Sequence, residues 1–187
     1  MIKNALIGLF MLTIAGLAAW STLSLRPQAP SHPVSAALPD AFMENITALI
    51  LDKQGKPSMK IVAPKMIHYA ENDSASLTQP NLTLYRKSSP EPWHVTANYA
   101  QTSQGIDHVD FWHNVRIHRL ADGNNPETLI KTPTLTVFPH QQLAQTQDLI
   151  TLIQPGITVK ATGMNADLNT GDINLLSQAR GEYAPNS

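Results

Sequence analysis

The chain has 187 residues, room for one domain with its own core plus an accessory segment. Only 14% of residues are charged, the net charge is -1, and Lys and Arg are scattered with no basic run; the basic patch that would neutralise phosphates is missing, which argues against nucleic acid as a partner. Cysteine is absent, which removes disulfides, thiol catalysis and Cys-ligated zinc.

Residues 5–25 are uncharged and mostly apolar, close to the ~20 residues that cross a hydrocarbon core as a helix. Lys3 and the α-amino group precede this run, Arg26 follows it, and Pro27 and Pro30 end any helix. The short cationic end is expected to stay in the cytoplasm, leaving the rest of the chain outside. A cleaved signal peptide is the rival reading, with Gly16, Ala18 and Ala19 as a cleavage site. The run continues through Leu23 and Leu25, beyond the usual ~7–15 residue apolar region of a signal peptide, and so favours a retained anchor over residues 1–25. Gly8, Leu12, Ala15, Gly16 and Ala19 fall near one helical face, which suits either close helix packing in lipid or a plain anchor.

Residues 26–40 are rich in Pro, Ser and Ala and read as an extended linker to a domain over residues 41–187. Here apolar and polar residues alternate over short runs, the two-residue period of half-buried strands, and no convincing helical period appears. Turn residues interrupt the runs at 53–57, 71–74, 87–92, 104–107, 122–126, 139–142, 155–156 and 169–172. Strands are expected from Asn45, Ser58, Ala75, Trp93, His108, Glu127, Leu143, Ile157 and Asp172, paired antiparallel in an up-and-down order. A weak repeat accompanies them. Ile61-Val62-Ala63, Val95-Thr96-Ala97, Ile130-Lys131-Thr132 and Val159-Lys160-Ala161 recur at spacings of 29–35 residues. A repeated hairpin of this length suggests long strands in a folded-over sheet with an apolar inner face and two open ends.

Catalytic signals are poor: no Gly-x-Ser-x-Gly elbow, phosphate loop or His-Glu-x-x-His motif is present, and no enzyme activity is expected. Asp52, Glu71, Asp73, Asp122 and Asp172 sit in expected turns, where solvation explains them. On one regular strand His108 and His118 would share a face about 33 Å apart at ~3.3 Å per residue, with His113 facing the other way, so they cannot hold one metal ion. The informative residues are apolar. Ile46 and Ile50 should share a face, as should Trp93, Val95, Ala97 and Tyr99, then Leu135 and Val137, Ile150 and Leu152, and Ile173 and Leu175. Such residues form either a sealed core or the lining of a slot for lipid, and period alone does not separate the two.

Three segments carry a resemblance. Leu77-Thr78-Gln79-Pro80-Asn81-Leu82-Thr83-Leu84-Tyr85 looks like the Gln-Pro-x-Leu-Thr signature of the LptC family of lipopolysaccharide export components. Pro92-Trp93-His94-Val95-Thr96-Ala97 is similar to that family's Trp-x-Val-x-Ala strand. Phe111-Trp112-His113-Asn114-Val115-Arg116-Ile117 resembles an aromatic rung shared with the related organic-solvent-tolerance repeat, with Asn114 where some relatives carry Gly nearby. The segment from Thr132 to Leu135, the neighbourhood of Asp148 and Gly163-Met164 follow in matching order, so the resemblance covers nearly the whole chain.

The resemblance implies a twisted open β-jellyroll behind a single inner-membrane helix, with the domain in the periplasm. It implies lipopolysaccharide as cargo, a transporter of LptF and LptG with LptB as the membrane partner, LptA as the periplasmic partner, and no cofactor. ATP hydrolysis would belong to LptB. Matching the motifs makes Ile46, Ile50, Leu77, Val95, Ala97, Trp112, Ile150 and Ile173 the expected inward lining of a lipid groove. The edge that meets LptA is expected at the last strands, with Ala179, Arg180 and Tyr183. A membrane-anchored β-scaffold that touches no lipid is the alternative.

Overall fold

The computed structural model describes residues 38–86, 90–103, 105–123 and 125–183. The expected anchor and all but the last residues of the linker lie outside them.

The described chain is one antiparallel sheet of eleven strands. These are β1 (Ala41–Leu51), β2 (Pro57–Tyr69), β3 (Ser74–Thr78), β4 (Asn81–Leu84), β5 (Trp93–Thr96), β6 (Tyr99–Ser103), β7 (His108–Arg119), β8 (Thr128–Phe138), β9 (Leu143–Gln154), β10 (Ile157–Asp167) and β11 (Ile173–Tyr183). The expected turns separate them, and a single 3₁₀ turn, Pro139–Gln141, is the helical element among the described residues. β1 begins four residues before the expected Asn45.

Nine expected strands become eleven because two of them break. The strand from Ala75 stops at Gln79 and Pro80, and the strand from Trp93 stops at Ala97 and Asn98. Gln79 adopts a left-handed backbone (φ 47) and Pro80 has no N–H to give the ladder. The breaks are tied to each other: the Gln79 N–H donates to the Asn98 carbonyl at 2.7 Å, and the Asn98 N–H to the His113 carbonyl at 2.9 Å. The halves stay aligned. β2 pairs with β4 along its first part and β3 along its second; β7 pairs with β6 and then β5. The sheet therefore has nine rungs.

A line of irregularities crosses every rung near its middle. It passes Asn45 (φ 51), Pro64, Gln79 and Pro80, Ala97 and Asn98, then His113 (φ 61) and Asn114 (φ 58). It continues past Pro133, the 146–149 stretch of β9, Gly163 (φ 76) and Gln178 (φ 52). Such interruptions bend strands and raise their local twist. At Gly163 the left-handed φ favours glycine, and a Cβ there would also lie 2.8 Å from Cδ1 of the exposed Leu176, whose side chain would have to shift. The line divides the sheet into two walls that cover each other. Val95 and Val137, one from each wall, are 0% exposed although no second sheet or helix packs on them among the described residues. Direct contact agrees: Gly171, in the turn after β10, packs against the guanidinium groups of Arg86 and Arg119 from the ends of β4 and β7. The result is jellyroll-like.

Candidate functional site

Strand register assembles an apolar row along the inside of one wall. Ala48, Ile61, Leu82, Val95, Ile117, Ile130, Leu152, Val159 and Gly181 face one another rung by rung, from edge strand β1 to edge strand β11. The leading residues of the four sequence repeats, Ile61, Val95, Ile130 and Val159, all stand in this row. The repeat is the period with which the chain returns to the same height.

Burial varies along the row. Leu82 and Val95 are 0% exposed, and Ile117 and Ile130 1%. Ile61 rises to 7% and Leu152 to 8%, Val159 is half-buried, and Ala48 and Gly181 at the ends are exposed. The middle is a sealed core; the two ends are open. At the β1 end the opening is a hollow of about 250 Å³ lined by Ile46, Ala48, Ile50, Met66, Leu77 and Ile106.

The expected groove residues divide into four groups. Ile46, Ile50 and Leu77 come together in the β1-end hollow. Val95, Ala97 and Ile150 lie in the sealed core at 0%, 8% and 2% exposure. Ile173 packs on the core from the edge strand β11, half-buried. Trp112 is on the outer face, against expectation: its neighbour Phe111 (2% exposed) points inward and Trp112 stacks outside on Tyr99 at 6.1 Å. Two consecutive left-handed residues, His113 and Asn114, interrupt the strand without changing its alternation: Val109, Phe111, Val115, Ile117 and Arg119 are all buried, and it is the motif match, not the period, that misplaces Trp112. His113 is outside too, edge-on to Tyr99 at 6.0 Å, rather than opposite His108 and His118. The break at Ala97 and Asn98 likewise turns Tyr99 (46% exposed) away from the face of Trp93, Val95 and Ala97. Ala48, Met66 and Ile106 were not expected as lining; alternation from Ile46 to Ile50 would have found Ala48.

A cluster of three titratable side chains, His68, Asp40 and Asp73, sits at the β1-end opening. His68 lines the hollow, with Nδ1 2.7 Å from Oδ1 of Asp40 and Nε2 3.3 Å from Oδ1 of Asp73. The hydrogen bond to Asp40 first, then that to Asp73, holds the imidazole above its ordinary pKa, and burial opposes both. The same bond lowers the Asp40 carboxyl. This clamp ties the start of β1 to the turn between β2 and β3. No cluster of three or more His, Cys, Asp or Glu able to hold a metal occurs among the described residues.

The expected partner edge is exposed. Among the described residues β11 pairs only with β10, and Ala179, Arg180 and Tyr183 (74% exposed) lie on it. β1 likewise pairs only with β2 among the described residues. Both outermost strands thus offer backbone donors and acceptors to a further strand.

A family model described as "LptC: Lipopolysaccharide-assembly, LptC-related" matches residues 9–184. Among solved structures the chain is similar to LptH of Pseudomonas aeruginosa, described as the LptA homologous periplasmic component of the conserved lipopolysaccharide transport device. The identity is 13% and the TM-score 0.54, over 68% of this chain and 95% of that one, so the fold is what the two share. No curated protein matches the chain. An antiparallel jellyroll with an inner apolar row open at both ends, matched by that family model over nearly its whole length, identifies the chain as a member of the LptC family of lipopolysaccharide-assembly proteins.

Proposed function

We propose that this chain is a non-enzymatic carrier that receives lipopolysaccharide from an LptB-LptF-LptG transporter in the inner membrane and passes it to LptA. Residues 1–25 would anchor it by a single helix with the jellyroll in the periplasm, the β1 end facing the transporter. LptA would add to the β11 edge by strand pairing at Ala179, Arg180 and Tyr183. The observation that carries the reading is the inner apolar row, continuous from edge strand to edge strand and unsealed at both ends.

The physics suits acyl chains. Each CH₂ left in water costs about 0.8 kcal/mol, and a continuous slot removes that cost while the sugars remain solvated. The sealed middle must part for a lipid to pass. Parting exchanges contacts such as Val95 with its neighbours for contacts with acyl chains, apolar for apolar, so little hydrophobic free energy is lost.

Photo-crosslinking in cells tests this. Photoreactive residues at Ile46, Leu77 and Ile173 are expected to capture lipopolysaccharide during active transport, and one at Trp112 is not. The sealed middle favours the scaffold alternative. Capture at none of the three inner positions in a folded, transporting complex would establish that alternative instead.

A further inference from the structure

The end of the jellyroll where β4 and β7 finish holds two buried guanidinium groups that the acyl slot does not use. The side chain of Arg86 is 2% exposed, and Arg119 is 3% exposed. Arg119 lies over the ring of Trp93, 4.7 Å from its centroid, and its Nη2 donates to the Pro126 carbonyl at 3.3 Å. Nη2 of Arg86 donates to Oδ2 of Asp122 at 3.4 Å. Two cations thus face one buried carboxylate. Burial first, and then the charge of Arg119, lower the pKa of Arg86; Asp122 opposes them.

Donors outnumber acceptors here. Nε of Arg86, Nε and Nη1 of Arg119 and the indole Nε1 of Trp93 are buried without a hydrogen-bond partner. A buried donor left unpaired costs about 1–3 kcal/mol, more when charged. The opposite wall brings backbone to this point: a Cβ on Gly171 (φ +88) would lie 2.9 Å from Nη1 of Arg119 and 3.3 Å from Nη1 of Arg86. Both guanidinium groups therefore pack closely on the same stretch of backbone, where the left-handed φ favours glycine. Arg86 also lines a hollow of about 420 Å³ with Lys56, Ser58, Tyr85, Gln142 and the carboxylate-bearing Asp52, whose Oδ1 accepts the N–H groups of Gln54 and Lys56 at 2.9 Å.

We propose that Arg86, Arg119 and the Trp93 indole form a binding site for a phosphate-type oxyanion, reached through the hollow beside Arg86. The site holds more donors and positive charge than the Asp122 carboxylate and the Pro126 carbonyl satisfy, which is what a tetrahedral oxyanion with several charged oxygens complements. It is separate from the acyl slot and does not depend on lipid passing through it.

The test uses the full-length chain in dodecyl maltoside micelles, titrated with inorganic phosphate while indole and guanidinium N–H signals are followed by NMR. The chain has three tryptophans, so Trp20→Phe and Trp112→Phe assign the Trp93 signal. Saturable shifts are expected for the Trp93 indole and for two Arg Nε–H signals, with none in chloride at matched ionic strength. Arg119→Lys keeps the charge but loses the planar fork, and is expected to weaken binding about tenfold. Wild-type titration decides the matter even if that variant misfolds. Signals that stay still in phosphate, or that move equally in chloride, overturn the site. A second arm replaces phosphate with dihexanoyl phosphatidic acid. Saturation by both ligands supports the site with phosphate itself as ligand, and saturation by the lipid alone supports it with a phosphorylated headgroup as ligand.

Discussion

The middle rungs and the end rungs of this sheet are built from the same residue types and reach different states. Val95 and Ile117 are 0% and 1% exposed, while Ile46, Ile50 and Ile173 are only half-buried. Residue chemistry does not separate them. An inner residue at a middle rung has neighbouring strands on both sides and the opposite wall in front of it. One on β1 or β11 has a strand on one side only. Burial thus reports position in the stack, and the same alternation makes a core in the middle and an opening at each end.

The sharpest test places one charge in each region. Val95→Asp puts a carboxylate where no water reaches, which costs several kcal/mol and is expected to abolish cooperative folding. Ile46→Asp can turn its charge to solvent, so the chain should stay folded and lose capture of acyl chains. Circular dichroism with lipid crosslinking reads both. If Val95→Asp folds normally, the middle is a wet groove and the contrast disappears.

A smaller effect separates two neighbours on one strand. Phe111→Ala empties a core position and is expected to destabilise by about 3–5 kcal/mol. Trp112→Ala removes an outer stacking partner of Tyr99 and should cost about 1 kcal/mol. Urea unfolding midpoints check the order, and equal losses would mean that Trp112 is packed as firmly as Phe111.

The smallest effect is at the β1-end opening. The imidazole of His68 is raised by Asp40 and Asp73, so the stability it lends is fully present below its ordinary pKa of 6.5 and is lost as pH rises through the raised value. Asp40 is lowered, so its share is present above 3.8 and fades as pH falls through the lowered value. The clamp is strongest between these limits. Melting temperatures of the wild type and His68→Gln should differ most near about pH 5 and converge as pH rises through the raised value. A difference that grows with pH would reverse the assignment.

Much of this was legible in the sequence because turns announce themselves. Pro155-Gly156 and the Asp52 loop carry residues whose backbone preferences end strands wherever they occur. The fold line was not legible. Asn45, Gln79, His113, Asn114 and Gln178 adopt left-handed backbones that their side chains do not demand, and the need for a bend comes from the opposing wall. That is why counting by twos from Trp93 puts Tyr99 on the wrong face, whereas Trp112 is misplaced by the motif match alone. Sequence also hid what pairing gathers. Arg116, Lys131, Lys160 and Arg180 look scattered, yet register sets them in one exposed outer row, with Thr151 between the two pairs. Arg86 and Arg119 likewise come from the ends of different strands, and no local pattern links them.

The fold line also governs what can join the ends. Asn45 on β1 and Gln178 on β11 interrupt each edge partway along its length. An ordinary flat strand arriving there would match the ladder on one side of the interruption and lose step on the other. A newcomer carrying its own bend at the same height could stay in step along the whole edge. The same interruptions make either edge a poor template for stray flat strands that would seed aggregation.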